Sequence, residues 1–382
     1  MKIIHILLGK ANPNTLNGVN KVVHHLATEQ RRLGLDVEVW GITATPDKVS
    51  HKHEYILRLF PAAKYRFIIS TKLRNSIKEL HRDTIAHLHS VFLPELYAVS
   101  RLLKKRQIPW VLTPHSGYAT ESMYKNRVAK KIYMNLFESR LIHQAKALHA
   151  IGASEVEDLQ RLAPSQRIVL IPNGQAVIDL ATNAEKVTDS TNRPIFGFCG
   201  RLAAKHKGLD LLIEGFALYL EAGGSGELWL IGDGKDRDSL EKKSADLEIA
   251  EKINFLGSMF DNDKFNKLRQ IDVFVHTSRW DAVPTAVLEA AAMAKPLLVS
   301  KGTNLCGYVN DYGCGIVLEE NMPHFISSAM FDFERMYQQN KLLSLGQKAL
   351  NMIKAEFSWP LIAKQLVQEM YLGINRAVDY ES

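Results

Sequence analysis

Residues 273–293 read VFVHTSRWDAVPTAVLEAAAM. The run Val273–His276 is short, apolar and β-branched, so it predicts a buried strand. Pro284 suits a first helical turn, and the Ala, Leu and Glu residues after it are strong helix formers, so a helix starts just past the strand. Strand, loop and helix in 21 residues are half of a βαβ unit of a parallel sheet. In such a sheet ligands sit at the carboxyl ends of the strands, where helix amino termini direct free N–H groups. The amides of Ala282, Val283, Pro284's neighbours and Thr285 thus form a candidate phosphate site, with Asp281 and Glu289 facing one cleft on either side of it. Carboxylates accept hydrogen bonds from vicinal diols of sugars and ribose. A surface reading of Glu289 conflicts with its neighbours Val287, Leu288 and Ala290–Ala292, which mark a helix buried nearly all round.

The same alternation runs outward in both directions. Strands are predicted at Lys2–Leu8, Val37–Ile42, Thr84–His89, Trp110–Pro114, Ala147–Ile151 and Ile168–Pro172, separated by amphipathic helices such as the one carrying Val19, Val22, Val23 and Leu26. A second series follows at Pro194–Cys199, Leu228–Ile231, Ile253–Leu256, Val273–His276, Pro296–Val299 and Gly315–Leu318. The fold class is α/β, two doubly wound parallel-sheet domains in series. Asn183–Arg193, polar and poor in apolar residues, reads as the linker. The expected division is 1–185, 186–356 and a tail of 357–382, which begins as a long amphipathic helix from Phe357 to about Ala377.

A chain of 382 residues with 46% hydrophobic and 23% charged residues can bury two cores, which excludes disordered, collagen-like and disulfide-scaffold classes. The net charge of +7 divides unevenly: residues 1–183 carry +12 and the remainder −5, and eleven of the 14 histidines lie in the first part. The amino terminus is too soon interrupted by His5, Gly9 and Lys10 for a signal peptide, and no apolar window of about 18 residues predicts a membrane span. Cys199, Cys306 and Cys314 lack CxxC spacing, so neither a disulfide framework nor a zinc site is expected, and a reducing cytoplasm fits best.

Other predicted strand ends carry chemistry too. Pro194–Cys199 leads into Gly200-Arg201 and then Lys207-Gly208, so Arg201 and Lys207 are candidates to neutralise a diphosphate, against the bland reading of solvated loop charges. Gly232-Asp233-Gly234 is a tight turn that admits a ligand to the backbone. It fails as a dinucleotide fingerprint, because Arg237 stands where the third glycine belongs. The polar loop from Gly9 to Asn17, with Gly18 opening a helix, is either an anion site or a plain N-cap. His115, just past Trp110–Pro114, can point at substrate hydroxyls or developing charge. His24, His25, His51, His53, His81, His87, His89, His143 and His149 are read as structural.

Taken together in order and spacing, these stretches resemble the family 4 retaining glycosyltransferases (glycosyl transferases group 1), over nearly the whole chain. Asn17-Gly18 is similar to the family's first glycine loop, Thr113-Pro114-His115 to its His-bearing strand end, and Ile171–Gly174 to the close of its first domain. Arg201 and Lys207 match its Arg/Lys pair, Asp281 to Glu289 its Glu-x7-Glu element, and Phe357-Ser358-Trp359 its returning tail. The resemblance implies a GT-B fold, two Rossmann-like domains facing a cleft, with the acceptor bound by the first and a nucleotide sugar by the second. It implies diphosphate neutralisation by Arg201 and Lys207, ribose on Glu289, donor-sugar hydroxyls on Asp281, and phosphate on the amides from Ala282 to Thr285 and at Gly18. Gly232 would line the donor site, Leu256, Gly257 and Ser258 would approach the base, and His115 the transferred sugar. Catalysis would retain configuration with no metal or other cofactor, the cations doing the electrostatic work. The chain departs from the family at Asp281, at Ala282 in place of glycine, at Asn17 in place of a glycine, and at Gly302–Val309, which lacks an acidic residue. These departures bear on the donor sugar.

Basic residues in the first half, Arg58, Lys64, Arg66, Lys72, Arg74 and Lys78, then Arg101, Lys104, Lys105, Arg106, Lys125, Arg127, Lys130 and Lys131, are interleaved with Phe60, Tyr65, Phe67, Ile68, Ile69, Tyr124, Tyr133 and Phe137. That mixture suits an anionic lipid surface, against the alternative of solvated helix faces. The leading function is therefore hexosyl transfer from a UDP-sugar, with GDP-sugar next, to a glycan, lipopolysaccharide or lipid-linked acceptor in bacterial surface polysaccharide synthesis, on the inner membrane face. A nucleotide-sugar epimerase or phosphorylase of the same architecture is the alternative. A nucleic-acid partner is not expected, since no binding motif is present.

Overall fold

The structure is a computed structural model that describes residues 1–13, 17–47, 53–124, 126–176, 193–281 and 283–374. The expected linker up to residue 192, His51, Lys125, Ala282, the 185/186 boundary and the tail beyond Ile374 lie outside the described residues. The chain divides into two units, Met1–Gly174 with Trp359–Ser382, and Gln175–Ser358. The division has a local cause. Gly174 lies against the Trp359 ring, where a Cβ would meet ring carbon at 2.4 Å, whereas the next residue, Gln175, donates its amide to the Phe357 carbonyl at 2.6 Å.

The first unit holds seven parallel strands: β1 (Lys2–Leu8), β2 (Asp36–Thr43), β3 (Ile56–Pro61), β4 (Thr84–His89), β5 (Trp110–Thr113), β6 (Ala147–Ala150) and β7 (Ile168–Leu170), in the order β3-β2-β1-β4-β5-β6-β7. Side chains alternate across this sheet, so Ile4, Ile6 and Leu88 enter one core while Ile3, Leu7 and Ile85 enter another on the opposite face. The second core is closed by helix Gly18–Arg32 and by the tail, whose Trp359, Ile362, Leu366, Met370 and Tyr371 are buried. The tail begins as a helix at Trp359, not Phe357, and passes at Leu366–Tyr371 into a wider helical turn. Strand β3 is not among the predicted strands; Arg58 on it is exposed, but Phe60, and Ile69 after it, are buried in the first core, which removes both from the residues expected to face lipid. β3 is an edge strand whose outward positions include both Ile56 and Arg58, exposed, so apolar and polar residues share one face and hide the alternation. Arg58 stacks over Trp40 at 5.2 Å and donates to Ser76 at 2.9 Å.

The second unit holds six parallel strands, β8 (Ile195–Cys199), β9 (Glu227–Ile231), β10 (Ile253–Gly257), β11 (Val273–His276), β12 (Leu297–Val299) and β13 (Gly315–Val317), in the order β10-β9-β8-β11-β12-β13. Phe196, Phe198, Leu228, Leu230, Val273 and Val275 fill one face with helix Leu209–Glu221, and Cys199, Ile231, Phe274 and Leu297 fill the other with helix Thr285–Ala292. In each unit the strand order reverses beside the first strand, at β1/β4 and at β8/β11. The crevice at the carboxyl ends of such a pair is where doubly wound sheets bind ligands.

Candidate functional site

In the second unit the switch point carries Gly200-Arg201 after β8 and Thr277–Asp281 after β11. Two glycines set the loop geometry. Gly208 has φ +65°, and a Cβ there would lie 1.9 Å from the Thr277 carbonyl oxygen; Gly232 has φ +145°, and its Cβ would lie 1.9 Å from the Gly200 carbonyl oxygen. Only glycine allows this approach of one strand-end loop to the next. Thr277 Oγ1 then donates to the Gly208 carbonyl at 3.1 Å and Ser278 Oγ to the His206 carbonyl at 3.0 Å, so the two loops form one wall.

On that wall the Lys207 ammonium meets both Asp281 oxygens at 2.8 Å. His276 Nε2 lies 3.0 Å from the same carboxylate and His206 Nε2 3.6 Å away. Burial by itself would raise the Asp281 carboxyl. The two imidazoles and the Lys207 charge outweigh it and hold the group well below the usual carboxylate range. His276 is fully buried and its pKa is lowered, first by burial, so it is a neutral ring whose Nε2–H donates to Asp281; its Nδ1 has no partner among the described residues. Arg201, by contrast, is exposed and has no ion-pair partner among the described residues. One cation is thus fixed by an internal counter-charge and another left open to an incoming anion.

Helix Thr285–Ala292 begins without a side-chain cap and without an acidic residue in its first turn. Its first amides to bond backward are those of Val287, at 3.0 Å, and Leu288, at 3.4 Å, both to the Pro284 carbonyl. Val283 is half-buried, Pro284 buried and Thr285 exposed. Glu289 is neither a solvated charge nor an unpaired one: Lys264 contacts both its oxygens at 2.8 Å, with the two side chains only 14% and 17% exposed. Gly257, at the end of β10 with φ +74°, is half-buried and Ser258 is exposed. The pairs Lys207–Asp281, Lys264–Glu289 and Arg279–Asp210, the last bidentate at 2.8 Å, carry both charges into the site region. Lys264, Arg279, Asp210, His206 and His276 had no motif to mark them, since their partners are 25 to 75 residues away or across a loop.

Gly18 and His115 belong to the first unit. Gly18 is the first residue of its helix, and Asn17 caps it, its side chain accepting from the amides of Val19 and Asn20 at 3.0 and 3.4 Å. His115 and Ser116 follow β5 in left-handed backbone conformation, φ +52° and +61°. Such strain persists only where the surroundings impose it. Here Glu155 does so: its carboxylate accepts from the Ser116 amide at 2.6 Å and the Ile151 amide at 2.8 Å. His5, His87 and His89 have nitrogens close enough to share a cation. Each of those nitrogens is already hydrogen-bonded to a neighbour, and the His87 and His89 rings stack face to face at 4.1 Å, so their lone pairs do not converge on a common point.

Two doubly wound units, one with cations, carboxylates and a helix amino terminus gathered at its switch point, define the class as a two-domain α/β protein. The chain belongs to the group 1 glycosyltransferases of the GT-B type: the Glycosyltransferase Family 4 model matches residues 16–176 and the model of Glycosyl transferases group 1 matches residues 181–351. It is 25% identical over 190 residues to the lipopolysaccharide core biosynthesis glycosyltransferase LpsE of Rhizobium meliloti, a match spanning 50% of this chain and 53% of that one, so about half the length of the relative. Sucrose-phosphate synthase from Thermosynechococcus elongatus has the same fold, with a TM-score of 0.72 over 100% of both chains at 16% identity. So does Anabaena HepE, whose crystal structure is a complex with UDP, with a TM-score of 0.70 over 97% of this chain and 100% of that one at 15% identity.

Proposed function

We propose that this glycosyltransferase moves a hexose with retention of configuration from a nucleotide sugar, a UDP-sugar first and a GDP-sugar next, to a glycan, lipopolysaccharide or lipid-linked acceptor of a bacterial surface polysaccharide. The observation that carries this reading is the wall at the switch point of the second unit, where Arg201 is an open cation and Lys207 is held on Asp281. A diphosphate leaving group needs positive charge that does not have to reorganise during bond cleavage. Arg201 supplies a planar donor fork for phosphate oxygens. Lys207 has three N–H donors; two are taken by Asp281, which leaves one for the ligand and fixes its direction. The uncapped start of helix Thr285–Ala292 adds amides to the same charge. Glu289 presents a carboxylate for ribose hydroxyls, its charge balanced by Lys264. In this scheme the side-chain cations do what a divalent metal would otherwise do, and no metal takes part. The UDP of HepE favours uridine as the base, and LpsE favours a lipopolysaccharide acceptor.

We further propose that the first unit docks on an anionic membrane surface at the inner face of the cell membrane. Among the described residues no helix is long and apolar enough to cross a membrane. The support is a single patch formed from two separate stretches. Phe67 meets Phe137 at 4.7 Å between ring centroids, and on the same two stretches Tyr65, Ile68, Tyr124, Val128, Ile132 and Leu136 are all exposed. Arg127 and Lys131 are exposed beside them, whereas Arg66 is neutralised by Glu95 at 2.8 Å.

Two experiments test the scheme. UDP-, GDP- and ADP-sugars are screened for a rise in melting temperature, and the product made in EDTA is read by NMR for its anomeric configuration. Inverted product, or activity restored only by added metal, refutes the mechanism. Co-sedimentation with phosphatidylserine vesicles tests docking: it is expected at low salt and lost at high salt, and its absence at low salt removes the membrane reading.

A further inference from the structure

The histidines of the first unit form a chain of hydrogen bonds whose direction can be worked out from one end. Period-two alternation places His5 on β1, His87 and His89 on β4, Thr113 on β5 and His149 on β6 on the sheet face covered by helix Gly18–Arg32 and the tail. Gln30 enters from that helix and Tyr371 from the tail, and both are buried.

The starting point is the Ile171 carbonyl, which can only accept. His149 Nε2 is 2.7 Å from it and must carry a proton, so in the neutral ring Nδ1 accepts; Thr113 Oγ1, at 2.8 Å, donates to it. Having used its proton, the Thr113 hydroxyl accepts from His87 Nε2 at 2.6 Å. His87 Nδ1 then accepts from the Tyr371 hydroxyl at 2.6 Å, and the Tyr371 oxygen accepts from the Gln30 amide nitrogen at 3.5 Å. The Gln30 amide oxygen therefore faces His5 Nε2, at 2.7 Å, and accepts from it. His5 Nδ1 accepts from His89 Nε2 at 2.9 Å, and His89 Nδ1 accepts from His115 Nε2 at 3.1 Å. Every link is satisfied by one donor and one acceptor, and the last ring nitrogen, Nδ1 of His115, has no partner among the described residues.

We propose that this wire holds His115 as the Nε2–H tautomer with Nδ1 as a bare acceptor, so that the end of β5 recognises a ligand O–H or N–H donor and gives no hydrogen bond to an anionic group. Gln30, Tyr371, His87, Thr113 and His149 are positioning residues that act through His5 and His89. The inference deepens the sugar-transfer reading by naming what His115 selects, a hydroxyl-bearing ligand, yet the wire is a property of the free protein and is tested without substrate. Burial keeps the rings neutral, which the wire requires: His5 and His149 are pushed down to about 4 and His115 to about 3, with His87 and His89 also well below the ordinary range.

The test is a long-range 1H–15N correlation spectrum of the full-length protein labelled with 15N-histidine at pH 7, which distinguishes Nε2–H from Nδ1–H in each ring. Expected are five rings, His5, His87, His89, His115 and His149, all protonated at Nε2. His115 protonated at Nδ1, or present as a mixture, overturns the proposal. In Tyr371→Phe the Gln30 amide loses the hydroxyl that orients it, so His5, His89 and His115 are expected to become tautomer mixtures. His149, tied to a carbonyl, stays Nε2–H and reports that the fold is intact. A purely structural Tyr371 would leave His115 unchanged, which also overturns the proposal. If that variant does not fold, the wild-type spectrum decides alone. Added Zn2+ is expected to change nothing; loss of the Nε2 protons of His5, His87 and His89 on titration would show a metal site instead of a wire.

Discussion

Acidification from pH 7.5 to 5.0 should selectively loosen the first unit, and the size of the effect can be worked from three buried groups. His5 and His149 have pKa values near 4 in the folded chain against an ordinary value of 6.5. A depressed histidine pKa means that the unfolded chain binds the proton first. The stabilisation is therefore complete above pH 6.5 and is lost as pH falls towards 4. At pH 5 each ring then costs about 2 kcal/mol relative to neutral pH, or about 4 kcal/mol for the pair. Glu138 works in the opposite direction. Burial pushes its carboxyl up to about 6 from 4.5, against the hydrogen bonds it accepts from Tyr118 and the Phe92 amide. It destabilises above that range, and acidification to pH 5 returns about 1 kcal/mol. These two histidines alone win by about 3 kcal/mol, a large part of the roughly 5–15 kcal/mol that stabilises an ordinary domain, and His87, His89 and His115, lowered by the same burial, add a loss of the same sign. The assay is urea unfolding at the two pH values in a Trp229→Phe, Trp280→Phe background, where the remaining tryptophans, Trp40, Trp110 and Trp359, all report on the first unit. His5→Gln, which keeps a donor and an acceptor, should remove about 2 kcal/mol of the acid-induced loss. Equal or greater stability of the first unit at pH 5 would refute the reasoning.

Other consequences concern the second unit and the strained turn. Lys207→Met should lower transfer by about 10²–10³-fold, the loss typical for one preorganised charge, and destabilise the fold by roughly 1–2 kcal/mol because Asp281 loses its counter-ion; adding Asp281→Asn should return the stability but not the turnover, and turnover within about threefold of wild type counts against the role. Glu289→Gln should weaken nucleotide-sugar binding about tenfold by calorimetry, with unchanged affinity removing it from the ribose site. Gly208→Ala places a Cβ 1.9 Å from the Thr277 carbonyl oxygen at φ +65°, so a stability loss of about 3 kcal/mol or more is expected in denaturant melts. Glu155→Gln should relax the turn at His115 and Ser116, lowering kcat/KM with the melting temperature of the second unit unaffected.

What could be read from the sequence was what neighbours along the chain decide. In residues 273–293 the change from a β-branched run to an Ala-rich run past Pro284 marks strand, loop and helix without any distant partner, and the same local signal recurs from Lys2 to Val317. It was weak at Ile56–Pro61, where an edge strand is paired on one side only and exposes Ile56, Arg58 and other outward positions to water. Arg201, Lys207, Asp281 and Glu289 could be proposed from the sequence because the loops after β8 and β11 must open at the carboxyl ends of a parallel sheet. Their partners were not: Lys207 reaches Asp281 across 74 residues, and Glu289 meets Lys264 from a different helix. The histidines make the contrast sharpest. Singly, each reads as an ordinary core residue, and nothing local relates His5 to His89 or Gln30 to Tyr371, 84 and 341 residues apart. Only the strand order, which sets β4 beside β1, and the tail, which returns Tyr371 to the same face, bring their nitrogens within hydrogen-bonding distance. Periodicity is a property of successive residues and survives in the sequence; the direction of a hydrogen-bond chain depends on which elements become neighbours, and that is decided by the packing of the whole unit.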